Sequence, residues 1–127
     1  MAKIRSVCIV DDSAGMRSFG AKVLTNDGIE VFTAVDGYDA LNVIRENTPD
    51  ACFIDIEMPN IDGLQLVSML RAWDGWDKKP IAMLSSASSP FDMEKGLLFG
   101  VDIYLTKPFT AETIQKALQD LENILEQ

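Results

Sequence analysis

Seven side chains with useful chemistry stand where apolar runs end. Asp11 and Asp12 close the run Val7-Cys8-Ile9-Val10. Asp55 closes Ala51-Cys52-Phe53-Ile54, with Glu57 two residues beyond. Ser85 and Ser86 close Ile81-Ala82-Met83-Leu84, and Lys107, followed by Pro108, closes a run over 101–105. If these runs are neighbouring strands pointing one way, their ends gather several carboxylates, two hydroxyls and one ammonium in a shallow cleft. Carboxylates about 4 Å apart repel by several kcal/mol at an effective dielectric near 20, so such a group is tolerable when a cation joins it. Oxygen ligands without nitrogen or sulfur suit Mg²⁺, which keeps waters and phosphate oxygens in its shell. A Lys and a hydroxyl beside that metal suit the remaining phosphoryl oxygens. An aspartate can itself be the nucleophile and become an aspartyl phosphate. The residues thus point to Mg²⁺-assisted phosphoryl transfer, with Asp55 as candidate acceptor.

Composition narrows the chemistry further. The chain has 127 residues, 20 Asp+Glu, 11 Lys+Arg and no histidine, for a net charge of −9. Zinc sites that need histidine are excluded, as are Ser-His-Asp and Cys-His nucleophiles. A phosphohistidine donor must sit on another protein. The acid excess argues against nucleic acid or an anionic membrane as main partner. No apolar run reaches a membrane span, so no membrane insertion is expected. The N-terminal apolar stretch is too short for a signal peptide. A cytoplasmic protein is expected, with Cys8 and Cys52 as buried, reduced thiols. The length suits one domain over 1–127.

The elements that must position these groups follow from hydrophobic period. A strand over 4–10 precedes a helix capped by Ser13, with Met16, Phe19, Val23 and Leu24 as its stripe. Residues 30–35 read as a second strand, and Asp36 caps a helix carrying Ala40, Leu41 and Ile44. After the third strand, a loop over 58–63 leads to a helix with Leu64, Val67, Leu70 and Trp73 facing inward. A helix over 91–99 closes at Gly100, and a strand over 101–105 follows. Thr110 caps the last helix, whose stripe is Ile114, Ala117, Leu118, Leu121, Ile124 and Leu125. Five β-α units imply a parallel sheet with helices on both faces. Continuous apolar runs mark strands one, three and four as central. The expected fold is α/β, a flavodoxin-like doubly wound five-stranded sheet in the order 2-1-3-4-5, with its site between strands one and three.

At these residues the sequence resembles the response-regulator receiver domain. The resemblance rests on Val10-Asp11-Asp12-Ser13, Ile54-Asp55-Ile56-Glu57-Met58-Pro59 with Asp62-Gly63, Leu84-Ser85-Ser86-Ala87, and Tyr104-Leu105-Thr106-Lys107-Pro108-Phe109. It covers essentially the whole chain and implies a stand-alone, chemotaxis-type receiver without an output domain. Phe91-Asp92, Lys95-Gly96 and the run 102–107 also resemble the single-domain regulators of twitching motility (type IV pili). The resemblance implies that Asp55 accepts a phosphoryl group from a sensor histidine kinase or histidine phosphotransfer protein. Asp12 and Asp55 would bind Mg²⁺ directly, Asp11 largely through water, and Glu57 through its backbone carbonyl. Ser85 would hydrogen-bond one phosphoryl oxygen and Lys107 would pair with another, with a cis Lys107-Pro108 bond. Tyr104 would be the switch aromatic. Helix four, strand five and helix five would present the read-out face to a downstream target, such as a motor or pilus machinery.

Three positions bear on the lifetime of the active state. Ser stands at 85, where the family more often has Thr. The Glu57 side chain is expected at the cleft mouth, and Ala87 offers no polar group. Two other classes remain in view: a small Mg²⁺-dependent aspartate-nucleophile phosphatase, and an interaction module that needs no phosphorylation. The first usually places its nucleophile after strand one, whereas Asp55 follows strand three. The intact set Asp11, Asp12, Asp55, Ser85 and Lys107 argues against the second. Ser86 is expected to pack or make a turn hydrogen bond rather than to contact the phosphate directly. Trp73 and Trp76 read as helix-end packing or, alternatively, as a partner-contacting patch.

Overall fold

The computed structural model describes residues 3–86 and 90–125, with side chains over 90–92 left aside. Ala87 therefore lies outside the described residues, as do the side chains of Phe91 and Asp92. Five strands alternate with five helices: β1 (Ser6–Val10), α1 (Ala14–Asn26), β2 (Glu30–Ala34), α2 (Gly37–Asn47), β3 (Ala51–Asp55), α3 (Gly63–Arg71), β4 (Ile81–Ser85), α4 (Pro90–Leu98), β5 (Ile103–Thr106) and α5 (Ala111–Leu125). The sheet order is β2-β1-β3-β4-β5, and each neighbouring pair is parallel. This is the flavodoxin-like arrangement expected from the apolar runs. β3 and β4 are buried along their whole length, whereas the edge strands β2 and β5 consist mostly of half-buried and exposed positions.

Successive strand side chains point to opposite faces, and each face has its own core. Cys8, Val10, Cys52, Ile54, Ile81 and Met83 pack beneath α2 and α3. Val7, Ile9, Phe53, Ala82 and Leu84 pack beneath α1 and α5. Cys8 and Cys52 are free, buried and directly opposite in the β1–β3 register. Trp76 is buried and Trp73 half-buried against the first of these cores, with Lys79 and Arg45 stacked on their rings. Helix-end packing is thus what both tryptophans do. No helix among the described residues is long and apolar enough to cross a membrane.

Helix starts fall where capping side chains put them. Ser13, Asp36 and Asp62 accept from Met16, Asp39 and Gln65 backbone N–H groups. The Thr110 hydroxyl accepts from the Thr113 N–H. Phe19, expected in the inward stripe of α1, is instead 39% exposed. Gly20 takes the buried place close to β1, where a Cβ would lie 2.8 Å from the Ile9 Cδ1 and that side chain would have to shift. Strand five starts two residues later than expected, at Ile103, while Val101 is still buried before it.

Away from the strand C-terminal ends, Arg71 ties three connections together. Its Nε and Nη2 donate to the Gly100 carbonyl, Nη1 to the Trp76 and Lys79 carbonyls, and Nη2 also to Asp102 Oδ2 at 2.9 Å. A guanidinium has five N–H donors, and here all five are used. At the other end Gly63 lets α3 begin directly against β3. A Cβ there would overlap the Asp55 carbonyl oxygen and come within 2.7 Å of Ile56 Cα. Since neither neighbour is a movable side chain, Gly63→Ala should destabilise the fold by about 1–3 kcal/mol, the usual cost of overpacking. Urea unfolding measures this, and a stability equal to wild type would contradict the close approach.

Candidate functional site

The parallel order brings the C-terminal ends of β1 and β3 side by side, with Val10 paired to Ile54. The residue after β1 and the last residue of β3 therefore meet. One carboxylate oxygen from each of Asp11, Asp12 and Asp55 lies within 4.8 Å of the others. Asp11 and Asp55 are buried and Asp12 is exposed. Asp11 Oδ1 accepts from the Ser13 N–H at 2.8 Å, as α1 begins. Its Oδ2 is buried with no hydrogen-bond partner among the described residues. Buried carboxylate oxygens are ordinarily satisfied, so this orphan is a place for a ligand. Asp55 Oδ1 accepts from the Glu57 N–H at 3.2 Å.

Ser85 ends β4, fully buried, opposite Thr106 of β5. Its carbonyl accepts from the Lys107 N–H at 2.8 Å, which ties the lysine backbone to the site. The Lys107-Pro108 peptide is cis. The Lys107 side chain is exposed, and its charge acts on both Asp11 and Asp55. Glu57 and Ser86 are both exposed, and the Ser86 hydroxyl donates to Glu57 Oε1 at 2.6 Å. The Glu57 carboxylate is thus held by a neighbouring loop rather than free at the mouth. Among the described residues, the hydrogen bond of the Ser86 side chain is to Glu57. Tyr104 lies half-buried on β5, apart from the aspartates, against the core under α3. The structure brings together Asp11, Asp12 and Asp55, and places Ser85 and Lys107 on the adjoining strand ends. The Ser86–Glu57 bond and the Ser13 backbone contact to Asp11 were not anticipated. Capping preference pointed to Ser13, but nothing in the sequence pairs residues 57 and 86.

Burial is the main electrostatic fact at the site. It pushes the Asp55 carboxyl up to about 7, and the neighbouring Asp11 adds to the rise; the Glu57 N–H and Lys107 oppose it. Burial raises the Asp11 carboxyl too, against the Ser13 N–H and Lys107. Local donors therefore do not fully compensate the desolvated charge. The unpaired Asp11 Oδ2 and the close carboxylates together fit a hard divalent cation such as Mg²⁺.

The family model for the response regulator receiver domain matches residues 7–119. Protein PilG of Pseudomonas aeruginosa is 39% identical over 113 residues, covering 89% of this chain and 84% of that protein. Transcriptional regulatory protein PrrA of Mycobacterium tuberculosis is 45% identical over 81% of this chain, but the match spans 43% of that protein. Among solved structures, the chemotaxis response regulator CheY4 of Vibrio cholerae superposes with a TM-score of 0.89 at 34% identity, covering 94% of this chain and 99% of that one.

The raised carboxyls have a consequence for pH. An unfolded aspartate titrates near 3.9, while folded Asp55 titrates at about 7. Between those values the folded state holds a proton that the unfolded state has lost. Stability of the metal-free protein should therefore fall as pH rises from about 4 to about 7, then level off in this respect. Melts in EDTA across that range check this. Asp55→Asn should show a shallower fall than wild type, and equal slopes would contradict the buried charge.

Proposed function

The chain belongs to the response-regulator receiver family, and from that premise we propose that it is a signalling switch phosphorylated on Asp55. The observation that carries the proposal is the cluster itself: a buried acceptor carboxylate beside two further aspartates, one with an orphaned oxygen. PilG, its relative at 39% identity, favours a chemotaxis-like pathway of the pilus kind. A sensor histidine kinase or histidine phosphotransfer protein is the donor, because this chain has no histidine. The target is a downstream effector, whose affinity changes by population shift.

Receiver domains bind Mg²⁺ at an acidic pocket, and here Asp11, Asp12, Asp55 and the Glu57 backbone carbonyl would hold it. When bound, it would neutralise the carboxylates and the phosphoryl oxygens. The chain's own residues do the rest. An Asp55 carboxylate oxygen attacks the phosphorus of the partner's phosphohistidine. The O–P bond forms as the P–N bond breaks, and the electron pair leaves with the imidazole nitrogen. The Glu57 N–H steadies Asp55 Oδ1, and the Ser13 N–H orients Asp11. Lys107 neutralises negative charge on the transferred group, and the Ser85 hydroxyl binds another of its oxygens. Drawing Ser85 inward would shift β4 against β5, and Tyr104 would follow.

Incubation with acetyl phosphate and Mg²⁺, followed by intact-mass measurement, tests this. Wild type should gain one phosphoryl group and Asp55→Asn none; Lys107→Ala should gain it more slowly. An unmodified wild type with acetyl phosphate and with a purified phosphotransfer partner would overturn the reading. Rapid turnover of assorted phosphate esters would point to a phosphatase instead.

A further inference from the structure

One hydrogen bond at the cleft mouth is left unused by the transfer chemistry. The Ser86 hydroxyl donates to Glu57 Oε1 at 2.6 Å, within the range of a charge-assisted bond to a carboxylate. The bond crosses the seam between β3 and β4. Asp55 is paired with Leu84 in that register, and the Ile56 N–H donates to the Leu84 carbonyl at 2.9 Å. Ser86 and Glu57 then add a side-chain rung beyond the backbone ones. Both residues are exposed, and among the described residues Glu57 joins no ion pair.

The rung matters because of where Glu57 is rooted. Its N–H donates to Asp55 Oδ1 at 3.2 Å, so its backbone adjoins the acid cluster. Asp11, Asp12 and Asp55 each bring one oxygen within 4.8 Å of the others. A glutamate stem rooted beside them can turn a fourth carboxylate toward the same place. The choice of cation depends on that fourth group. Mg²⁺ demands octahedral geometry, keeps several waters and is typically held by few carboxylates together with phosphate oxygens. Ca²⁺ takes roughly six to eight oxygens in flexible geometry, and its affinity rises with the number of charged ligands. A Glu57 carboxylate in the cleft would favour Ca²⁺ and fill a position that a phosphoryl oxygen needs.

We propose that Ser86 is a positioning residue for metal choice: by holding the Glu57 carboxylate across the β3–β4 seam, its hydroxyl keeps a fourth carboxylate out of the cleft and keeps the site selective for Mg²⁺ over Ca²⁺. The inference rests on the reading above, in which Asp11, Asp12, Asp55 and the Glu57 backbone carbonyl hold the cation. In wild type, Ca²⁺ recruits the Glu57 carboxylate only by breaking its bond to Ser86. Without the hydroxyl that cost disappears. One such hydrogen bond in an exposed setting corresponds to a factor of about five in affinity.

Calorimetric titration of the unphosphorylated full chain with MgCl₂ and with CaCl₂, without a phosphodonor, measures the two Kd values. In Ser86→Ala the Ca²⁺ Kd should fall about fivefold, while the Mg²⁺ Kd stays within about twofold of wild type. Ser86→Thr keeps the hydroxyl and should retain the wild-type ratio. Glu57→Gln combined with Ser86→Ala should lose the gain, because a neutral amide adds no charge to the Ca²⁺ shell. An unchanged ratio in Ser86→Ala, or a gain that persists in the double variant, would overturn the proposal. So would an equal weakening of both cations, since the bond would then only brace two loops. If wild type binds neither cation, the divalent-cation reading fails and the role of Ser86 falls with it. If wild type binds Mg²⁺ and the ratio does not move, the role of Ser86 fails alone.

Discussion

Two carboxylates buried side by side are the constraint around which this protein is organised. Asp11 and Asp55 are taken out of water at the ends of adjacent central strands. Desolvation is the larger effect on each, and their mutual repulsion adds to it at Asp55. At the 4.8 Å spacing of the cluster, like charges repel by roughly 3 kcal/mol at an effective dielectric of 20. The Ser13 and Glu57 N–H groups and Lys107 offset part of this. The remainder is an affinity for positive charge, and it is the physical basis of the divalent-cation and phosphoryl site proposed above.

The rest of the fold keeps that arrangement from relaxing. Carboxylates on loops would move apart; these are attached to strands locked by parallel pairing and buried on both faces. Gly63 lets α3 start against the Asp55 carbonyl, so Asp55 cannot retreat in that direction. Ser13 caps α1 while its N–H holds Asp11. The Ser85 carbonyl ties down the Lys107 backbone across the β4–β5 edge. Each device uses a backbone group or a capping side chain, whose geometry is set by the fold rather than by a flexible stem.

Most of this was legible in the sequence. Apolar runs of strand length ending in Asp, Ser or Lys carry both the topology and the site, since burial on both faces forces central strands to be continuously apolar. Capping chemistry placed the starts of α1, α2 and α5 to the residue. Failures occurred where tertiary proximity overrides local pattern. Phe19 fits the helical period, but the close approach of α1 to Ile9 puts Gly20 inside. The Ser86–Glu57 bond joins residues 29 apart, and no local rule pairs them. The five-donor engagement of Arg71 likewise depends on three connections meeting in space.

The switching role proposed above, with a site at one end of the sheet and a read-out face on its flank, requires stability to be divided unevenly. Elements that move are drawn from the weakly held part of a structure. β1, β3 and β4, with their two cores, are the rigid part. α4 is the less covered part: among its described side chains Met93, Glu94, Lys95, Leu97 and Leu98 are exposed. Weakness alone would let the helix fray and carry no signal. Arg71 fixes the end that follows α4 by holding the Gly100 carbonyl with two N–H groups. On the switching role proposed above, it is against this fixed end that a small movement of Ser85 would be read out at the surface.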